Sequence, residues 1–279
     1  MADADSNAAW DEKLLQNPHA VEDKRKRVQR MFAAIAPTYD LNNRLHSVWQ
    51  DQRWRRKAVN LAQLKATDVV VDVACGTGDL TYAFAEILKW LNEPNTFQVA
   101  QVVGLDLTFE MLPIARSKGW SHVWPSRFQV PGYSVNPARM DRAVPFINGD
   151  AQSLPLPDQC SDVVSIAFGI RNVQDPAQAI REFHRILRPG GRVIILEFSL
   201  PTNRLLRGLY NFYFRKILPR TATLISRDKT GAYKYLPESV NTFIGREQMA
   251  GMLRAAGFTD VQQFPLTFGV CVCYRGIKA

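Results

Sequence analysis

The chain has 279 residues, 46% of them hydrophobic, and its 35 Lys and Arg against 26 Asp and Glu leave a net charge of +9. That hydrophobic share suits a packed core rather than a disordered or fibrous chain. The longest apolar runs fall short of the ~20 residues that cross a bilayer, and the first 30 residues are polar, so neither a membrane-spanning helix nor a secretory leader is expected; the positive charge points to an acidic or membrane-bound partner.

Residues 1–18, rich in Ala, Asp and Asn, read as a flexible tail. A helix is predicted over 19–36, stopped by Pro37, and another over 47–64, so that 19–64 forms a helical lid. Then strands and helices alternate: strand 68–73, helix 79–91, strand 99–106, helix 108–117, strand 144–149, strand 162–168, helix 175–187, an RPGG turn and strand 192–198. This alternation predicts an α/β domain with a mostly parallel sheet covered on both faces. A helix over 245–256 and two apolar runs at 259–265 and 268–277 close the chain, and the short link between those runs makes the C-terminal strand antiparallel. Two stretches break the rhythm within what reads as a single domain over 19–279. Residues 118–143, with three prolines, read as a surface insertion. Residues 199–244 are basic and aromatic, beyond what one core requires.

The four cysteines are scattered, and Cys271-x-Cys273 has no second pair to complete a zinc site. They read as reduced, buried thiols of a cytoplasmic protein, and no metal is predicted. The stretch VVVDVACGTGDL (69–80) is a buried strand that stops at a glycine turn before a helix, a place where α/β sheets bind ligands. A phosphate loop needs Lys and then Ser or Thr after its last glycine, whereas Asp79 and Leu80 stand here. A dinucleotide loop needs a small third residue where Thr81 lies, and Asp72 and Asp79 would repel a pyrophosphate. The same carboxylates suit a cationic ligand such as S-adenosylmethionine. Asp72, Gly76, Thr77 and Gly78 are therefore the first candidates for holding it. Asp106 ends the second strand and can accept both ribose hydroxyls, and Asp150-Ala151 ends the third, where adenine would lie. A helix N-cap would explain any one of these aspartates; three acids at successive strand ends favour a ligand site.

The pattern D-x-x-C-G-x-G resembles the first motif of Rossmann-like (class I) S-adenosylmethionine-dependent methyltransferases. More specifically, MFAAIAPTYDLNN (31–43), DVACGTGDLT (72–81), FGIRNVQD (168–175), EFHRILRPGGRVIILEFSLP (182–201) and YKYLPESV (233–240) resemble the ubiquinone/menaquinone biosynthesis C-methyltransferases. The sequence departs from that family in the insertion at 118–143, in Ala167 where relatives carry Ser or Asn, and in LHSVWQDQRWRRK in place of LSFGLHRLWRR. The resemblance implies methyl transfer from S-adenosylmethionine, leaving S-adenosylhomocysteine, to a ring carbon of a prenylated quinol, without a metal. Demethylmenaquinol is the leading acceptor, with the benzoquinol of ubiquinone synthesis as the alternative. It also implies that Arg171 and Tyr39 are catalytic and that Asn172, Tyr233, Tyr235 and Ser239 line the substrate side. A nucleic-acid methyltransferase would carry an N-P-P-Y-like loop where FGIRN stands, so no nucleic-acid partner is expected. A membrane-resident quinol also gives the segment RLLRGLYNFYFRKILPR (204–220) a role: apolar side chains and arginines together predict peripheral contact with a membrane. Packing against the domain, or a homo-oligomer contact, would also account for it.

Overall fold

The β-branched runs of the sequence become the strands of one seven-stranded sheet. The computed structural model describes residues 9–92, 101–118 and 144–279. Its strands are β1 Val70–Val73, β2 Val102–Asp106, β3 Phe146–Asn148, β4 Ser161–Ala167, β5 Leu187–Phe198, β6 Phe258–Leu266 and β7 Cys271–Lys278, in the spatial order β3-β2-β1-β4-β5-β7-β6. The pairs from β3 to β5 are parallel, and β7 runs antiparallel to both β5 and β6. Apolar side chains pack on both faces. One cluster includes Val70, Phe84, Leu88, Ile194 and Cys273; the other includes Val71, Ile166, Phe183, Ile195 and Leu253.

Helices α4 Asp79–Leu91, α5 Met111–Lys118, α6 Pro176–Ile186 and α10 Arg246–Ala255 lie where the alternation predicts them. Asp175 caps α6, accepting from the backbone N–H of Gln178 at 3.0 Å, and Pro176 follows in the first turn, where its missing N–H is no loss. RPGG is not a turn between elements. It lies inside β5, where Gly190 takes φ +76° and the register against β4 shifts between Ser161 and Val163, so the glycines absorb an irregularity in a longer strand.

The lid contains an element that the sequence does not reveal. Between α1 Lys24–Ile35 and α3 Gln50–Ala62 stands α2 Tyr39–Ser47, joined to α3 through the left-handed residues Val48 and Trp49. The segment 199–244 folds into α7 Arg204–Phe212, a π turn Tyr213–Ile217, α8 Leu218–Ser226 and α9 Ala232–Asn241. Lid and segment share a third apolar cluster, with Met31 and Ile35 of α1 against Phe214, Leu218, Tyr233 and Tyr235. Within the expected tail of 1–18, residues 9–18 are described, and they are packed rather than loose: Trp10 is buried and stacks on Tyr235 with ring centroids 4.4 Å apart. One large aromatic among polar residues is enough to anchor the strand of chain around it. Of the expected insertion, only Lys118 lies among the described residues.

Candidate active site

The strand order reverses between β1 and β4, and the turns at the carboxyl ends of β1, β2, β3 and β4 meet there. Gly76 adopts φ +55°, and a Cβ added to it would touch nothing within 4 Å, so the space above it is open to a ligand. Its backbone N–H donates to Asp106 Oδ2 at 2.8 Å, while Asp106 Oδ1 accepts from Thr108 N at 2.7 Å. Each carboxylate oxygen keeps a second lone pair for a hydroxyl donor. Gly76, Asp106, Gly149, Asp150, Ala151 and Asn172 line one cavity, roofed by Arg25, Val28, Gln29 and Phe32 of α1. Asp150 accepts from the N–H of Gln152 at 2.9 Å and pairs with Arg25 at 3.0 Å.

The other motif residues stand behind the loop. Asp72 is buried and accepts from Ser165 Oγ and Thr81 Oγ1, both at 2.6 Å. It does not line the cavity. Burial raises its carboxyl to about pKa 6 despite those hydroxyls. Thr77 Oγ1 donates to Asp40 Oδ1 at 2.6 Å, and Lys118 Nζ reaches Thr77, Asp40 and Asp79. Gly78, at φ +83°, opens α4, and a Cβ there would press on the Phe146 ring at 3.0 Å. Thr77 and Gly78 thus shape the loop and tie it to α2, while Gly76 alone of the loop glycines faces the cavity.

A second, larger and mostly apolar cavity of about 230 Å³ lies between the lid and the 199–244 segment. Met31, Trp54, Phe198, Tyr213, Tyr233 and Tyr235 are among its walls. Phe32, Tyr39 and Phe168 line both cavities and so form the partition between them. The hydroxyl of Tyr39 is buried, which raises its pKa.

Arg171 faces the second cavity from the turn Ile170–Asn172. Its Nη1 donates to Glu197 Oε1 at 2.5 Å and to the Phe168 carbonyl at 2.8 Å, its Nε donates to Ser239 Oγ at 3.4 Å, and its guanidinium lies 5.2 Å from the Phe198 ring centroid. Both members of the pair are buried. Burial opposes its charge, but the charge and hydrogen bond of Glu197, together with Tyr235 and Tyr39, more than offset that, so its pKa is raised. Nη2 makes no hydrogen bond to the described residues.

Asn172 lies on the first cavity rather than on the substrate side, donating to the Phe168 carbonyl at 3.2 Å and accepting from Tyr235 OH at 3.0 Å. Ser239 is fully buried and lines neither cavity. Glu197, Phe32 and Phe168 are site residues that the sequence reading passes over. Glu197 and Phe168 belong to quoted motifs, but nothing in one sequence shows that they meet Arg171. Among the described residues no group of three or more His, Cys, Asp or Glu is arranged to hold a metal.

The described fold is similar to a SAM-dependent methyltransferase from Thermotoga maritima, with TM-score 0.56 and 20% identity, covering 90% of this chain and 100% of that one. A SAM-dependent methyltransferase from Aquifex aeolicus aligns with TM-score 0.51 and 16% identity over 81% of this chain and 89% of that one. In sequence, the chain is 42% identical to the demethylmenaquinone methyltransferase of Thermus thermophilus over 88% of this chain and 99% of that protein. It is 38% identical to the ubiquinone/menaquinone biosynthesis C-methyltransferase UbiE of Geobacter sp. M21 over 93% of this chain and the whole of that protein. The family model matches residues 20–278, nearly all of the sequence, and with the glycine-loop cavity and the chamber beside it in place, the chain belongs to the ubiE/COQ5 methyltransferase family.

Proposed function

We propose that this S-adenosylmethionine-dependent C-methyltransferase of quinone biosynthesis methylates a prenylated quinol, with demethylmenaquinol as acceptor. The observation that carries the reading is the pair of cavities meeting at Phe32, Tyr39 and Phe168: one is polar at a glycine loop, the other apolar and faced by Arg171. The similarity to the Thermus protein supports the naphthoquinol over the benzoquinol. Bound S-adenosylmethionine supplies a methyl group carried on a cationic sulfur. Asp106 accepts the ribose hydroxyls, Asp150 and Ala151 hold the adenine, and the open face of Gly76 lets the backbone approach the donor.

The quinol ring becomes a carbon nucleophile when a hydroxyl beside the reacting carbon loses its proton. Arg171, held by Glu197 and the Phe168 carbonyl, turns Nη2 toward that oxygen and stabilises the phenolate. A guanidinium stays charged, so it steadies the anion rather than taking the proton. Tyr39, on the partition, closes the lid and excludes water between the cavities. Tyr233 and Tyr235 wall the acceptor chamber. Alignment of donor and carbon can supply much of the ~7–11 kcal/mol available from proximity.

The acceptor's tail sets the location. Leu205, Leu209 and Phe212 of α7 are 61–73% exposed, and α7 buries none of its residues. Leu224 on α8, and Leu41, Val48 and Trp49 at α2, are exposed as well, and α2 meets α8 through a His46 to Thr221 hydrogen bond of 2.8 Å. The same elements line the apolar chamber through Asn42, His46, Tyr210 and Leu218, and they carry Arg204, Arg207 and Lys216 beside the exposed apolar side chains, so this face rests on an anionic membrane and admits the quinol from it. No helix among the described residues is long and apolar enough to cross a membrane. Purified protein given tritiated S-adenosylmethionine should label demethylmenaquinol in anionic vesicles. Label appearing only in a demethylated benzoquinol would replace the acceptor, and label in neither would end the reading.

A further inference from the structure

Arg55 of α3 is 8% exposed and lines the second cavity, yet its guanidinium makes no hydrogen bond to any described residue, and its Nε is fully buried without a partner. It lies 5.3 Å from the centroid of Phe168, against the partition between the two cavities. Burial works against its charge, but Asp79 and Asp51, with smaller contributions from other nearby acidic groups, restore it, so its guanidinium stays charged. Neither carboxylate contacts it. Asp79 is engaged by Lys118, Arg44 and Gln52, and Asp51 by Ser47 and Gln52. A buried charge without hydrogen bonds is costly, and native sites keep one where a ligand completes it.

We propose that Arg55 is the receptor for an anionic oxygen at this junction, and that the oxygen is the α-carboxylate of the methyl donor's amino-acid arm. The proposal rests on the donor reading given above. With the nucleoside between Gly76, Asp106 and Asp150, the rest of the donor must extend toward the partition if its methyl is to face the acceptor chamber. That arm ends in a carboxylate, which needs a cation once desolvated. Other cations near the path have their own anions: Arg44 and Lys118 are bound to Asp79 and Arg25 to Asp150, while Arg171, paired with Glu197, turns its remaining nitrogen to the acceptor's oxygen. Its contact with Phe168, which also lines the glycine-loop cavity, puts the guanidinium at the donor's end of the chamber. Its planar fork matches a carboxylate bidentately, and a permanent anion is a better complement than a phenolate formed only during turnover.

Calorimetry with S-adenosylhomocysteine, which carries the carboxylate, and 5′-methylthioadenosine, which lacks it, separates the sources. Arg55→Gln should weaken S-adenosylhomocysteine by about 10- to 100-fold and leave methylthioadenosine within about twofold, the second ligand also reporting that the pocket is folded. Arg55→Lys, which keeps the charge but not the fork, should fall between. Unchanged S-adenosylhomocysteine affinity with a raised quinol KM would give Arg55 to the acceptor's oxygen and overturn the proposal. Equal weakening of both ligands would make the residue structural and overturn it too. Wild-type protein that binds neither ligand would remove the donor reading itself.

Discussion

Arg171 and Glu197 show how far a catalytic assignment and a structural one overlap in a single side chain. Removing either partner strands a buried charge, which costs about 3–5 kcal/mol, whereas removing both leaves none. Glu197→Gln should therefore lower the free energy of urea unfolding by about 3 kcal/mol. Pairing it with Arg171→Met should recover part of that stability while turnover stays lost and S-adenosylhomocysteine still binds. A double variant whose losses simply add would show that the two groups do not act on each other. Asp72 makes a different demand. Its carboxyl titrates near pH 6 in the folded chain against 3.8 as the reference value. A carboxyl whose folded pKa is raised favours the folded state while protonated, so stability falls as pH rises from about 4 and the loss is complete above about 6. Asp72→Asn removes that dependence, since the amide oxygen accepts from one of the two hydroxyls and its NH2 donates to the other, which turns to accept. The unfolding free energy of the variant relative to wild type should improve by about 2–3 kcal/mol between about pH 4 and about pH 8. A pH-independent difference would mean that Asp72 is charged throughout.

At the level of elements, α1 and α7 divide the work of covering the site. Helix α1 is tied to the rim of the nucleoside cavity by polar contacts, and its Val28, Met31 and Ile35 join the apolar cluster shared with the 199–244 segment. Lys24 Nζ donates to the Val173 carbonyl at 2.6 Å, Gln29 to the Leu107 carbonyl at 3.1 Å, and the side chain of Gln174 bonds the backbone of Arg25 and Val21. Burial pulls the Lys24 ammonium down to about pKa 8, as expected for a cation whose one acceptor is neutral. Helix α7 instead offers its apolar side chains to the surroundings, capped at its start by Asn203, which accepts from Leu205 and Leu206. Since none of its residues is buried, Leu209→Glu with Phe212→Glu should alter stability by no more than about 0.5 kcal/mol per substitution. Co-sedimentation with anionic vesicles should nevertheless fall severalfold, and activity on a long-tailed quinol should fall with it. If both were unchanged, the acceptor would reach the chamber by another route.

Across the whole molecule, what the sequence reveals is set by how local each signal is. The strands β1, β2 and β4 announce themselves because buried parallel strands are apolar runs of β-branched residues, and Gly76 and Asp106 follow from their places at strand ends. Helix α2 does not, because YDLNNRLHS has little apolar period. Its helix is supported by neighbours, among them Tyr213 OH donating to the His46 carbonyl at 3.0 Å. The same limit hid Arg55, which reads as one more charge in RWRRK until Phe168, 113 positions away, is seen beneath it. The net charge of +9 was legible at once, yet its destination depends on which basic residues remain unpaired with acids on the α7–α8 face. Arg215 is taken by Glu238 at 2.7 Å, whereas Arg204, Lys216 and Arg220 have no acidic partner among the described residues. Each such cation adds ~1 kcal/mol near an anionic surface, and salt shortens its reach from about 10 Å at 0.1 M to about 3 Å at 1 M. Raising salt from about 0.1 M to about 1 M should therefore raise the apparent KM for a long-tailed quinol in anionic vesicles about tenfold or more. The KM for a short, water-soluble quinol analogue should stay within about twofold, because the buried Arg171–Glu197 pair is hardly screened. Equal salt dependence for the two acceptors would place the sensitive charges inside the chamber rather than on the face that meets the membrane.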